Sequence, residues 1–261
     1  MNRIDLKFNQ LRKLGKKAFI AFISAGDPSL KATEQLVLAF EHSGVDIVEL
    51  GVPFSDPLAD GPTIQASSQR ALAHGVNLDK ILETVKRIRK KSELPIALMS
   101  YYNPIFHQGE ASFISKAKKC GVDALIIPDL PPEEAGDLIR AAKKEKISTV
   151  FFIAPTTTRR RMERIIQYSS GFIYYVSLTG VTGIRAQLPK NVVAQIKLAK
   201  KLTRKPVCVG FGISNKEQVR ALGKVADGVI VGSAIVKEIE RSKGKRDLVK
   251  RVSNFVKNLK K

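Results

Sequence analysis

The sequence has no tryptophan, only two cysteines and three histidines, and far fewer acids than bases; each shortage excludes something. Cys120, before a glycine, and Cys208, inside the apolar string PVCVG, are too few for a disulfide framework. They read as small buried hydrophobes of a reducing compartment, so the expected address is the cytoplasm. No apolar run approaches the roughly 18 residues that cross a bilayer. The amino-terminal string MNRIDLKFNQLRKLGKK lacks an apolar core followed by a small-residue cleavage site, so neither a membrane span nor export is expected. His42, His74 and His107 are scattered, the first two at expected helix ends, which speaks against a metal cluster. No GxGxxG string opens a helix near the amino end, so a dinucleotide is not expected. The strings GFIYYVS, PVCVG and ADGVIVG hold no lysine for a Schiff base. No Pro/Gly/Ser-rich linker divides the chain, and one domain over residues 1–261 is expected.

What the sequence does have is cations and an alternating pattern. Lys and Arg number 45 against 24 acids, a formal charge of +21, but a 44% hydrophobic content places that charge on a folded body rather than a disordered basic tail. Short apolar runs recur eight times, at 18–24, 46–51, 95–100, 122–128, 147–154, 171–177, 206–210 and 226–232. Each is nearly continuous in apolar character, as strands buried on both faces must be. Amphipathic segments at 31–43, 78–91, 111–120, 133–146, 160–168, 189–202 and 216–222 separate them and read as crossover helices, with one more helix over 3–14 before the first strand. HSGVD at 42–46 and KCGVD at 119–123 both end a helix on glycine and enter a strand, an internal echo. Eight such units in about 250 residues predict an α/β protein, a single (β/α)8 TIM barrel, with an open doubly wound sheet as the alternative.

In such a barrel the chemistry sits at the carboxyl ends of the strands. There the second run gives VELGVPFSDPLADGP. Glu49 shares a strand face with Ile47, which puts a carboxyl group in or at the mouth of the barrel; the alternative is a structural carboxylate satisfied by backbone amides or a lysine. Partial desolvation would suit Glu49 to proton transfer near neutrality. The following loop is long and rigidly punctuated, as functional loops are; Asp60 reads equally as a plain turn residue in Ala-Asp-Gly-Pro or, paired with a buried Glu49, as half of a two-carboxylate constellation for acid/base chemistry. Late in the chain, glycine clusters at 180–183 and 210–212 and at Gly232-Ser233 follow three successive strands. Together they suit a phosphate held by backbone amides, with Ser233 expected to cap the helix that follows; tight turns alone are the alternative. Cofactor-free acid/base chemistry on a phosphorylated substrate is what remains.

The strings VELGVPFSDPLADGP, LIIPDLPPEE, VSLTGVTG, GFGIS and VGSAIV, in this order and spacing, closely resemble the tryptophan synthase α-subunit family over nearly the whole chain. The resemblance implies a (β/α)8 barrel that cleaves indole-3-glycerol phosphate to indole and glyceraldehyde 3-phosphate without a cofactor. It further implies an αββα complex in which indole passes to a β subunit. By resemblance, Glu49 and Asp60 are catalytic: Glu49 protonates indole C3 and accepts the glycerol hydroxyl proton, and Asp60 stabilises the indolenine-like cation and takes the N1 proton. Phe22, Met99, Tyr101, Phe152, Tyr174, Thr182 and Phe211 match substrate-pocket positions, with Tyr101 and Thr182 set to brace Asp60. Gly183, Gly212, Gly232 and Ser233 match the phosphate ligands, and Pro53, Asp56, Pro57, Asn103, Asp129 and Pro131 match the face toward the β subunit. The chain departs from relatives in having Leu178 where some carry Arg. It also opens one helix with Arg159-Arg160-Arg161, cations that oppose the helix dipole.

The competing readings are another phosphate-binding barrel, an epimerase or a phosphoribosyl isomerase, and a basic nucleic-acid binder. The first would not require the loop from Pro53 to Gly61. The second predicts cations clustered with interleaved aromatics, whereas here Lys and Arg are spread through the helices. Some of the positive potential is expected to steer an anionic substrate toward the barrel mouth.

Overall fold

The computed structural model describes residues 1–176, 190–210 and 212–260. In chain order the elements are α1 (Arg3–Lys13), β1 (Ala18–Ser24), α2 (Leu30–His42), β2 (Ile47–Gly51), α3 (Pro62–Ala73), α4 (Leu78–Arg89), β3 (Ile96–Met99), α5 (Tyr102–Gln108), α6 (Glu110–Cys120) and β4 (Ala124–Ile126). Next come α7 (Gly136–Lys144), β5 (Ser148–Val150), β6 (Phe152–Ile153), α8 (Arg159–Tyr168), β7 (Ile173–Val176), α9 (Lys190–Leu202), β8 (Val207–Gly210), α10 (Lys216–Gly223), β9 (Gly228–Val231), α11 (Ser233–Ser242) and α12 (Leu248–Lys260). The paired strands are parallel, in the order β5-β4-β3-β2-β1-β9-β8-β7-β6.

The expected eight runs appear as nine segments because the fifth breaks at Phe151. Its first half pairs with β4 and its second with β7, so this one run bridges the two ends of the sheet. The ring closes there: the Ser170 N–H donates to the Thr149 carbonyl at 2.7 Å and the Tyr174 N–H to the Phe151 carbonyl at 3.1 Å. The architecture is a (β/α)8 barrel with an extra amino-terminal helix.

Period-two alternation splits the core into two layers. Phe19, Ala21, Ile23, Val48 and Leu50 join the layer between sheet and helices, while Ile20, Ile47, Ala97, Ile126, Val150, Cys208 and Ile230 fill the barrel interior. The interior cluster includes Ile4, Phe8 and Leu11 of α1, so this helix plugs the amino end of the barrel, with Phe8 packed on Phe172 at 5.9 Å between ring centroids. Asn2 caps α1 and also donates to the Asp123 carbonyl at 2.9 Å and to Ser148 Oγ at 2.8 Å, tying the plug to β4 and β5.

The echo seen in the sequence has a structural meaning. Asp46, Asp123 and Asp227 each stand just before a strand and bond across to a neighbouring one. Their carboxylates accept the N–H of Phe19 (2.9 Å), Ile96 (2.9 Å) and Val207 (3.1 Å), and their own N–H groups donate to the carbonyls of the same three residues. Each also meets a cation from a helix: Lys260, Arg89 and Lys200 in turn. These staples set strand register at the amino end and leave the carboxyl end for the site.

Candidate active site

Alternation along β2 decides where its carboxylate points. Val48 and Leu50 face the helices and Ile47 faces inward, so Glu49 projects into the barrel, in register with Phe22 of β1 and Ala97 of β3. Glu49 is completely buried, and among the described residues neither of its carboxyl oxygens has a hydrogen-bond partner. A merely structural carboxylate would have such partners. Burial, reinforced by the Asp60 charge, pushes the Glu49 carboxyl up to about 8.

Asp60 lies half-buried in the loop between β2 and α3. Burial pushes it up to about 6, opposed by a hydrogen bond from Tyr101 that favours the ionised form. Tyr101 follows β3, is buried, stacks on Phe54 at 5.2 Å between centroids, and accepts the Ala59 N–H on its hydroxyl at 2.9 Å. The two carboxyl groups therefore sit in different environments: burial raises both, further for Glu49, while Asp60 has a Tyr101 hydrogen bond that favours its ionised form.

Aromatic side chains wall the space around them. Phe22 lies against Gly51 and Gly232; a Cβ on Gly51 would come within 2.6 Å of its ring, so glycine there lets the ring lie across the neighbouring strand. Tyr174 lies over Gly210 in the same way, where a Cβ would meet the phenol oxygen at 2.5 Å. Tyr174 pairs in register with Phe152, their rings 4.8 Å apart; burial and the nearby Glu49 hold its phenol well above the ordinary range. Met99 packs with Phe22, Ile64 and Val236. The barrel thus brings Glu49, Asp60, Phe22, Met99, Tyr101, Phe152 and Tyr174 to its carboxyl end, joined by Ile64 of α3 and Val236 of α11, which sequence reasoning did not single out. Their signal was positional only, since each stands early in the helix that succeeds an inward-facing glycine.

At the ends of β8 and β9, Gly212 adopts a left-handed φ of 70° and Gly232 precedes α11. Ser233 does not cap α11 as expected. The cap position falls on Gly232, whose carbonyl accepts from Ile235 and Val236, and Ser233 is the first helical residue, with its N–H among the first-turn donors that lack an intrahelical partner. Thr182, Gly183 and Phe211, like Leu178, lie outside the described residues.

The expected partner face occupies the same end. Pro53 is buried and Pro57 half-buried in the β2–α3 loop, where Asp56 is exposed and accepts from Ser55. Asn103 is exposed on α5, and exposed Asp129 accepts the Tyr102 N–H at 2.9 Å, fastening the start of α5 to the loop that holds Pro131. Leu58 is 96% exposed and Phe106 64%, apolar surface that a partner would cover. Among the described residues no group of three or more His, Cys, Asp or Glu is placed to hold a metal ion, and no helix is long and apolar enough to cross a membrane.

The family model described as tryptophan synthase alpha chain matches residues 8–261. A tryptophan synthase alpha chain from Geotalea daltonii is 50% identical over 260 residues, covering 100% of this chain and 98% of its own length. One from Caldanaerobacter subterraneus subsp. tengcongensis is 48% identical over 259 residues, covering 99% and 98%. Among solved structures, tryptophan synthase subunit alpha from Legionella pneumophila superposes with a TM-score of 0.92 at 38% identity, covering 99% of this chain and 97% of that one. A structure of the tryptophan synthase α2β2 complex from Pyrococcus furiosus gives 0.87 at 42% identity, covering 93% and 97%.

Proposed function

The chain belongs to the tryptophan synthase alpha chain family, and from that premise we infer how its barrel works. It is a carbon–carbon lyase of tryptophan biosynthesis that cleaves indole-3-glycerol phosphate to indole and glyceraldehyde 3-phosphate and passes the indole to a β subunit in an αββα assembly. Family membership sets aside the epimerase, isomerase and nucleic-acid readings.

A fully buried carboxyl group without a hydrogen-bond partner among the described residues, Glu49, beside a second carboxyl braced by Tyr101, Asp60, carries the residue assignments. Protonated Glu49 delivers its proton to indole C3, which leaves a cation spread over C2 and N1. Ionised Asp60 stabilises that cation at the N1 hydrogen. Glu49, now a base, takes the proton of the glycerol hydroxyl next to the ring; the carbon–carbon bond breaks, its electrons restore the indole, and the hydroxyl carbon becomes the aldehyde. Glu49 ends as it began, so proton donor and acceptor balance within one residue. Phe22, Met99, Phe152, Tyr174 and Phe211 supply the apolar slot for the ring, with Tyr101 and Thr182 bracing Asp60. Gly183, Gly212, Gly232 and Ser233 hold the phosphate on backbone amides and the start of α11. Pro53, Asp56, Pro57, Asn103, Asp129 and Pro131, with Leu58 and Phe106 between them, form the β-subunit face. A sheet and core running through the chain support one domain over 1–261, and a biosynthetic role with two reduced cysteines supports the cytoplasm as its location.

The test is indole release in the αββα complex by Glu49→Gln and Asp60→Asn. Each is expected to lower kcat by about 10²–10⁴. Wild-type turnover in either variant removes that residue from the mechanism.

A further inference from the structure

We propose that Gln65 is a positioning residue for Asp60, an inference that rests on the assignment of Asp60 above. Three successive peptide groups around Asp60 are tied down. The Ala59 N–H donates to the Tyr101 hydroxyl at 2.9 Å, the Asp60 N–H donates to the Pro57 carbonyl at 3.0 Å, and the Asp60 carbonyl accepts from Gln65 Nε2 at 2.9 Å. The last bond matters because the neighbour of Asp60 on its carboxyl side is Gly61. This glycine stands at the cap position of α3, where it can offer no side chain to brace the joint between loop and helix. Gln65, one turn into α3, reaches back across that joint and ties the Asp60 carbonyl to the helix.

The helix it reaches from is itself held. Ile64 of α3 packs with Phe22, Met99 and Val236, and Arg70 of the same helix makes two bonds to buried Asp27, at 2.9 and 2.8 Å. Gln65 therefore carries the rigidity of α3 into the backbone of Asp60, while Tyr101 does the same from the other side. With its amide donor engaged on a carbonyl, Gln65 acts through Asp60. Its loss is expected to leave substrate binding alone and to misplace the carboxylate in the reacting complex, where a displacement of about 1 Å costs on the order of 10²-fold in rate.

The experiment compares Gln65→Met, which keeps chain length and removes the donor, with Gln65→Glu, which sets a carboxylate against the Asp60 carbonyl; both are assayed as αββα complexes beside Asp60→Asn. Gln65→Met is expected to lower kcat for indole release about 10–100-fold with KM within about two-fold. Gln65→Glu is expected to lower kcat as far and to move the acid limb of the kcat–pH profile upward, because a second carboxylate nearby disfavours ionised Asp60. Wild-type kcat in Gln65→Met while Asp60→Asn collapses overturns the inference and spares Asp60. So does a loss confined to KM, or an unmoved acid limb in Gln65→Glu. An active Asp60→Asn overturns the assignment of Asp60, and the inference falls with it.

Discussion

Glu49 is held in the barrel at a cost that depends on pH. An ordinary glutamate releases its proton near 4.5, whereas burial keeps that of Glu49 to about 8. Between those values the native state binds more protons than the unfolded chain, so stability falls as pH rises through the window. At about 1.4 kcal/mol per pH unit, the loss reaches roughly 3 kcal/mol by neutrality. Glu49→Gln removes the titration. Its melting temperature is therefore expected to gain on the wild type steadily from pH 5 to pH 8, by several degrees at the upper end; calorimetry showing a constant difference would mean that Glu49 ionises freely in the fold. The position of Glu49 was legible in the sequence, because alternation along a strand fixes the face of every residue once Ile47 is known to be interior. The part played by Gln65 was not, since a bond from an amide to a carbonyl five residues earlier leaves no periodic trace.

At the scale of elements, continuous apolar runs announced the strands, and what escaped was structure without such a run. Ser67, Ser68 and Ala71 make the buried face of α3 too small-sided to read as a hydrophobic stripe, although Pro62 at its first position was a usable start signal. The break at Phe151 was invisible for another reason: it comes from a change of pairing partner, which is a property of the ring. The Arg159–Arg161 opening of α8 proves better balanced than the sequence suggests, since Glu133 accepts from Arg161 at 2.5 Å and lies 3.5 Å from Arg164. The aspartate staples are unequal. The Asp123 side chain is 1% exposed and meets both Arg89 and Arg3, whereas that of Asp227 is 29% exposed. Asp123→Ala is expected to cost about 3 kcal/mol because it takes the carboxylate from the largely buried Arg89 guanidinium, leaving it only backbone carbonyls, and removes the acceptor of the Ile96 N–H, and Asp227→Ala about 1 kcal/mol. Urea titrations that rank the two the other way would show that strand register is set elsewhere.

Over the whole molecule, the excess of cations acquires an address. Strands rise toward the site and the helix that leads into each next strand descends from it, so the last turn of that helix lies at the amino end of the barrel. That is where Arg12, Lys13, Arg87, Arg89, Lys118, Lys119, Lys143, Lys144, Lys200 and Lys201 sit, complementing the negative ends of the helix dipoles. Lys16, Lys90, Lys146, Arg204 and Lys224 fill the turns between them, and a cavity of about 330 Å³ at that end is lined by Lys7, Lys16, Lys17 and Lys260. The expected steering of substrate toward the mouth therefore finds much of its charge at the far end, beyond the roughly 10 Å over which salt at 0.1 M leaves a charge visible. Reversing Lys13 and Lys16 to Glu is expected to change kcat/KM for indole-3-glycerol phosphate by less than about two-fold at that ionic strength; stopped-flow kinetics showing a several-fold drop would restore the steering role. The same polarity has a practical side. On an anionic support such as mica or a cation-exchange bead the molecule is expected to settle on its plugged end, which would leave the mouth and the proposed β-subunit face turned outward and make an adsorbed layer self-oriented for capturing a β subunit from solution.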